Sequence, residues 1–170
     1  MPVLQGIKLS RMKLEFLMIK REDDGIWIEL EETIAAHHEL VFGCLSSAGG
    51  LTRWFPVAAE VEARAGGLIK LGWDENMTRT TTVAILDFDE DGWIVWDWYA
   101  GPQDVHAPVY WKVSPSVEQG SRVQLRQGPF GEDVESMMAM AEQLDSWRWH
   151  LCNLRGVLEA KHDMRAVRPL

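Results

Sequence analysis

Met137, Met140, Leu144, Trp147, Leu151, Leu154 and Leu158 recur at alternating intervals of three and four residues. That spacing keeps all seven on one side of an α-helix about six turns long. Glu132, Asp133 and Glu135 stand at its start and Lys161, His162 and Arg165 near its end, the polarity that a helix dipole favours. A stripe of this length has to be buried against something. The only large apolar surface that the rest of the chain offers is one face of a set of strands.

Those strands announce themselves by a period of two. Ala59, Val61 and Ala63 alternate with Glu60, Glu62 and Arg64, and after the turn Gly66-Gly67 the residues Ile69, Leu71 and Trp73 alternate with Lys70 and Gly72. Residues 80–88 and 93–99 pair across Asp91-Gly92, and residues 109–113 and 122–127 pair across Glu118-Gln119-Gly120. Nearer the N-terminus, residues 12–20 and 26–34 form a hairpin around Arg21-Glu22-Asp23-Asp24-Gly25. Between the early strands, Leu40, Val41, Cys44 and Leu45 fall at helical spacing, with Ser46 to Gly50 as the stop. A second short helix follows with Leu51, Arg53, Trp54 and Phe55, ended by Pro56. The expectation is an α+β chain: a curved antiparallel sheet of about seven or eight strands around a long C-terminal helix, with two short helices after the first core strand.

No repeat or linker divides the sequence, and 170 residues suit one domain, which buries roughly 70% of the surface its unfolded chain exposes. Residues 1–170 are therefore read as a single domain. Within it, 12–25 supply an extra N-terminal strand and turn, and 26–162 supply the core.

The formal net charge of -9 repels phosphate backbones and anionic headgroups, which argues against nucleic acid and membrane as partners. Five basic residues from Lys8 to Arg21 are interrupted by Glu15 and closed by Glu22, Asp23 and Asp24, and read as a solvated strand face. No long apolar run or secretory leader is visible, and Cys44 and Cys152 match no metal or redox spacing, so they read as reduced thiols of a cytoplasmic protein.

Motifs for chemistry fail on inspection. Asp87-Phe88-Asp89-Glu90-Asp91-Gly92 opens like a calcium loop, but its twelfth position is Trp98 where a bidentate Glu is needed, so an acidic hairpin turn is the better reading. His38-Glu39 would need a second histidine where Phe42 stands to make a zinc-protease helix. No nucleophile elbow, phosphate loop or dinucleotide fingerprint occurs, and neither a cofactor, a metal site nor a catalytic residue is expected.

Four segments together resemble the helix-grip superfamily known as SRPBCC, which includes START domains, the birch-pollen allergen and polyketide cyclases. They are 35–42 followed by Leu51-Thr52-Arg53-Trp54-Phe55; 59–67 with its Gly-Gly turn; 120–130, similar to a Gly-Thr-Arg strand and a Gly-Phe before the last helix; and Trp147, Leu151, Leu154 and Leu158. The branch they resemble most is that of the homologues of the heat-shock chaperone ATPase activator, over about residues 26–162. The resemblance implies a β-α-α-β-β-β-β-β-β-α order and a cavity between sheet and last helix. The chaperone-activating role of that branch resides chiefly in a separate N-terminal domain, so the resemblance does not carry it here.

Nine tryptophans are the oddest feature of the composition. By strand alternation Trp73, Trp96, Trp98 and Trp111 face inward, where they serve as core or, as a set, line a pocket suited to flat ligands. Trp54, Phe55, Leu71, Leu125, Met137, Met140, Leu144 and Trp147 complete the expected lining. Gln127, in register with Val123 and Leu125, is the polar group aimed inward, while Asp97 and Arg126 face solvent and His106 is a further polar candidate. The leading expectation is non-catalytic binding of a small hydrophobic molecule, with a cyclase- or aromatase-type enzyme and a chaperone-interacting module as alternatives; a homodimer is compatible with each.

Overall fold

Alternation along the strands sets the sheet, and the computed structural model describes residues 18–116 and 120–168. Among them the order is β1 (Ile19–Glu22), β2 (Gly25–Ile34), α1 (His38–Ser46), α2 (Ala48–Leu51), β3 (Ala58–Val61), β4 (Leu68–Gly72) and β5 (Thr80–Asp89). There follow β6 (Trp93–Asp97), β7 (Tyr99–Ala100), β8 (Val105–His106), β9 (Val109–Pro115), β10 (Ser121–Phe130) and α3 (Val134–Ala160). Eight strands form one antiparallel sheet in the order β1-β2-β10-β9-β6-β5-β4-β3, and β7 pairs with β8 as a separate ribbon. From β2 to α3 this is the expected order with one insertion, the β7–β8 ribbon. Of the expected strand over 12–20, residues 12–17 lie outside the described residues, as do residues 118 and 119 of the expected turn.

Register puts the large apolar side chains on one face. Leu125 lies opposite Leu30 on one side and Trp111 on the other, and Gln127 lies opposite Ile28 and Val109. All six are buried. The acidic segment around Asp91-Gly92 is the β5–β6 hairpin turn, where Gly92 has a φ of 111° and a Cβ would stand 2.2 Å from the Val113 carbonyl oxygen. Trp27 points to the opposite face yet is only 6% exposed. Its ring lies over Gly128, its Nε1 donates to Asp24 Oδ1 at 2.9 Å, and the Arg126 guanidinium sits 3.9 Å from its centroid.

The first two helices depart from the sequence reading. Spacing places Leu40 on the buried side of α1, but it is 48% exposed and Phe42 is buried with Val41, Cys44 and Leu45. The segment read as a stop instead begins α2, because Ser47 Oγ accepts from Gly50 N at 3.0 Å and caps the turn. Gly50 also lets α2 abut α1: a Cβ there would lie 1.9 Å from the Gly43 carbonyl oxygen. Trp54 and Phe55 follow the helix in turns rather than in a helix of their own.

α3 runs for 27 residues, and Asp133 Oδ1 caps it by accepting from Ser136 N at 2.9 Å. Met140, Trp147, Leu151 and Leu154 of the stripe are buried, and Leu144 and Leu158 are partly so. Met137 is a correction to the expected lining. It is 39% exposed, and the buried place in that first stretch goes to Ala139, which faces Gly101 beside β7. At its other end α3 is tied to the close of β2, since Arg155 Nη1 meets Glu32 Oε1 at 2.8 Å and Glu159 Oε1 accepts from Ala35 N at 2.8 Å.

Beyond α3 a 3-10 turn at Met164–Ala166 folds back on the loop between α2 and β3. Arg165 donates to the carbonyls of Thr52 at 2.9 Å and Pro56 at 2.8 Å, and pairs with Asp163 at 2.6 Å. Asn153, fully buried on α3, donates to the Trp54 carbonyl at 2.8 Å and accepts from Met164 N at 2.7 Å. Carbonyls that the irregular loop leaves without strand partners are thus paired from the chain's far end.

Candidate functional site

Between the sheet and α3 the aromatic side chains gather around Phe55. Its ring centroid lies 5.3 Å from Trp54, 5.5 Å from Trp73, 6.2 Å from Trp96, 6.3 Å from Trp98, 5.5 Å from Trp147 and 4.7 Å from His150. Trp111 joins through Trp96 at 5.2 Å and Trp147 at 5.4 Å. Six of the nine tryptophans therefore meet in one cluster, drawn from β6, β9, α3 and the segments that follow α2, β4 and β6. Trp54, Trp96, Trp111 and Trp147 are almost fully buried, whereas Trp73 and Trp98 are partly exposed and form the edge that solvent reaches. Leu71, Leu125 and Met140 are buried in the same core, with Leu144 packed against it.

The polar atoms of the cluster divide sharply. Trp54 Nε1 donates to the Cys44 carbonyl at 2.8 Å, Trp73 Nε1 to Thr81 Oγ1 at 2.9 Å, and Trp147 Nε1 to Gln127 Oε1 at 2.9 Å. Gln127, aimed inward as expected, is held from three sides, since its Nε2 also donates to the Ala107 carbonyl and to Gln143 Oε1, each at 3.2 Å. By contrast the Nε1 atoms of Trp96, Trp98 and Trp111 and the Nδ1 of His150 are buried without a partner among the described residues.

Burial holds the His150 imidazole down to a pKa of about 4, with the nearby Arg165 charge as a second cause, so the ring is neutral at pH 7. Burial likewise pushes the Cys44 thiol up, against a smaller opposing effect of Arg53. Both Cys44 and Cys152 are free thiols.

The remaining candidates lie elsewhere. His106 Nε2 and Asp97 Oδ1 are hydrogen-bonded at 2.6 Å with His106 exposed, and Arg126 lies over Trp27 on the opposite face of the sheet. A groove of about 970 Å³ runs along that face and the β2 edge, with Trp27, Tyr110, Lys112 and Arg126 in its wall. Of the residues expected to line a ligand cavity, only Leu125 borders it. His37, His38 and Glu39 bring donor atoms within 4.8 Å of one another at the exposed start of α1. No described helix is long and apolar enough to cross a membrane.

Sequence reasoning passed over His150, Asn153 and Arg165. His150 was legible in principle, because it stands three residues after Trp147 and four before Leu154 on α3, and Asn153 follows it by three. Nothing local in the sequence marks the contacts of Arg165 with the Thr52 and Pro56 carbonyls, more than a hundred residues away.

Comparison with known proteins agrees with this architecture. The chain is similar to protein SSP2350 from Staphylococcus saprophyticus, with a TM-score of 0.69, 18% identity, and coverage of 82% of this chain and 96% of that one. It is similar to the Aha1 dimer from Colwellia psychrerythraea, with a TM-score of 0.64, 18% identity, and coverage of 78% and 96%. It is also similar to DynU16, a putative protein in the dynemicin biosynthetic locus, with a TM-score of 0.64, 14% identity, and coverage of 82% and 49%. No match is found among curated proteins. The family described as Activator of Hsp90 ATPase homolog 1-like protein matches residues 35–159, which run from just after β2 through both short helices and β3 to β10 to nearly the end of α3. This chain therefore belongs to the Activator of Hsp90 ATPase homolog 1-like family, an SRPBCC-type helix-grip fold.

Proposed function

We propose that the protein binds a small hydrophobic or aromatic molecule between the inner face of the sheet and α3, without transforming it. The observation that carries this reading is the aromatic cluster itself, six indoles gathered around Phe55 and Trp147, with Trp73 and Trp98 partly exposed at one edge as an approach. Apolar burial supplies the affinity, at roughly 25 cal/mol for each Å² of ligand surface removed from water. Met140 and Leu144, flanking Trp147 on α3, are flexible enough to repack around a guest. Gln127 acts indirectly, by fixing the Trp147 ring through its hydrogen bond. The similarity to an Aha1 dimer supports a homodimer as the assembled form.

Titration with the uncharged aromatic fluorophore N-phenyl-1-naphthylamine tests the reading. Saturable energy transfer from tryptophan is expected at micromolar probe, with Trp98→Ala weakening it at least fivefold while Trp93→Ala, on the outer face, leaves it unchanged. Binding that ignores Trp98, or no saturable binding, overturns it.

A further inference from the structure

His38-Glu39 fails as the opening of a zinc-protease helix because Phe42 stands where the second histidine is needed, yet a second imidazole lies on the other side of it, at His37. The fold brings these side chains together. One donor atom from each of His37, His38 and Glu39 lies within 4.8 Å of the other two. His37 Nδ1 is 3.8 Å from Glu39 Oε2, and the centroids of the two imidazole rings are 4.4 Å apart. Around a tetrahedral zinc ion with bonds of roughly 2.0–2.1 Å, neighbouring donors stand about 3.4 Å apart, so the cluster has to close by about 1.4 Å at most.

The side chains are free to move that far, and the backbone beneath them is held. His37 is the N-cap residue of α1, and its ring makes no capping hydrogen bond. His37 and Glu39 are exposed and His38 is half-buried. Beneath them Ala35 N donates to Glu159 Oε1 at 2.8 Å, the Ala36 carbonyl accepts from Ser121 Oγ at 2.5 Å, and the His37 carbonyl accepts from Val41 N at 3.1 Å. The stretch is thus pinned to α3, β10 and α1, which leaves little backbone ordering for a ligand to impose.

The donor set selects the ion. Two imidazole nitrogens and one carboxylate suit zinc and its late first-row neighbours, whereas calcium and magnesium take oxygen ligands. Two histidines and one glutamate are also a recurrent zinc set, with the fourth position left to water. The start of α1 carries partial positive charge and works against a cation, so the attraction comes from the side chains, and the Glu39 carboxylate offsets the helix end. No other group of three His, Cys, Asp or Glu side chains brings its donors together in this way among the described residues.

We propose that His37, His38 and Glu39 form a surface site for Zn²⁺ at the junction of β2 and α1, with water in the remaining position. None of the three belongs to the aromatic cluster, so the site stands independently of the binding reading above. Bound there, the ion ties the residue before α1 to its first turn.

Calorimetric titration of the untagged chain with Zn²⁺ at neutral pH tests this. One ion per chain is expected, with low-micromolar affinity. His37→Ala and His38→Ala should each weaken it at least tenfold and Glu39→Gln severalfold, while His106→Ala, in the exposed pair with Asp97, leaves it unchanged. In the ¹⁵N-labelled wild-type chain, the imidazole nitrogen resonances of His37 and His38 should move on zinc addition and those of His106, His150 and His162 should stay, a readout that does not depend on any variant folding. No binding below millimolar zinc overturns the site, as does an affinity that His37→Ala and His38→Ala leave intact, or zinc shifts confined to other histidines. One ion per two chains also overturns it, by placing the ion between copies.

Discussion

His150 shows how much a single position can hold. Its imidazole lies 4.7 Å from the Phe55 ring and 6.1 Å from Trp147, only 6% exposed, and burial keeps it neutral with a pKa of about 4. The unfolded chain binds a proton at this position below its ordinary value near 6.5, whereas the folded chain does so only near 4. Stability from this site is therefore complete above about pH 6.5 and lost as pH falls toward 4, by about 3 kcal/mol in all. Urea unfolding of the wild type and of His150→Phe between pH 7 and pH 4 checks this. The wild type should lose more stability than the variant by about that amount, and parallel pH profiles would refute it. Gln127 illustrates what a sequence shows at this scale and what it hides. Alternation with Val123 and Leu125 was enough to aim it inward, but its partners Gln143 and Trp147 come from α3, and no strand pattern could name them.

Among the elements, the 3-10 turn after α3 has an effect out of proportion to its length. Arg165 and Asn153 satisfy carbonyls of the loop that carries Trp54 and Phe55, so the aromatic cluster is held in place from behind by polar contacts. Replacing Arg165 with Met removes these bonds and strands their acceptors, at a cost of about 2–3 kcal/mol. Hydrogen exchange should show faster opening at 52–57 than in β9 or β10; uniform protection across all three would exclude the bracing role. Asp163 shares in it: Arg165 chiefly holds its carboxyl at a pKa of about 2, so its contribution is complete above about pH 4 and disappears as pH falls toward 2. At this scale the long helix and the hairpins were legible because each has a strong period of its own. α2 was misread because its glycines, which punctuate most sequences, here permit the close contact of Gly50 with Gly43. Leu40 was misplaced because four residues of spacing cannot fix the rotation of a nine-residue helix.

For the whole molecule, β2 through α3 followed from patterning, since each strand face and the stripe on α3 can be buried only against one another. The β7–β8 ribbon did not, as two-residue strands carry no period. The interior was half legible: the alternation that turned Trp96 and Trp111 inward could not reveal which indole nitrogens would find acceptors, because that depends on atoms brought from other elements. If the homodimer forms, sedimentation equilibrium should return twice the monomer mass at micromolar concentration; a single-chain mass throughout would exclude it. The position of Trp147 after every strand of the sheet also sets an order of events during synthesis. A ribosome releases the sheet before the helix that covers it, so Trp96 and Trp111 wait uncovered until α3 emerges, and the nascent chain is most prone to aggregate in that interval.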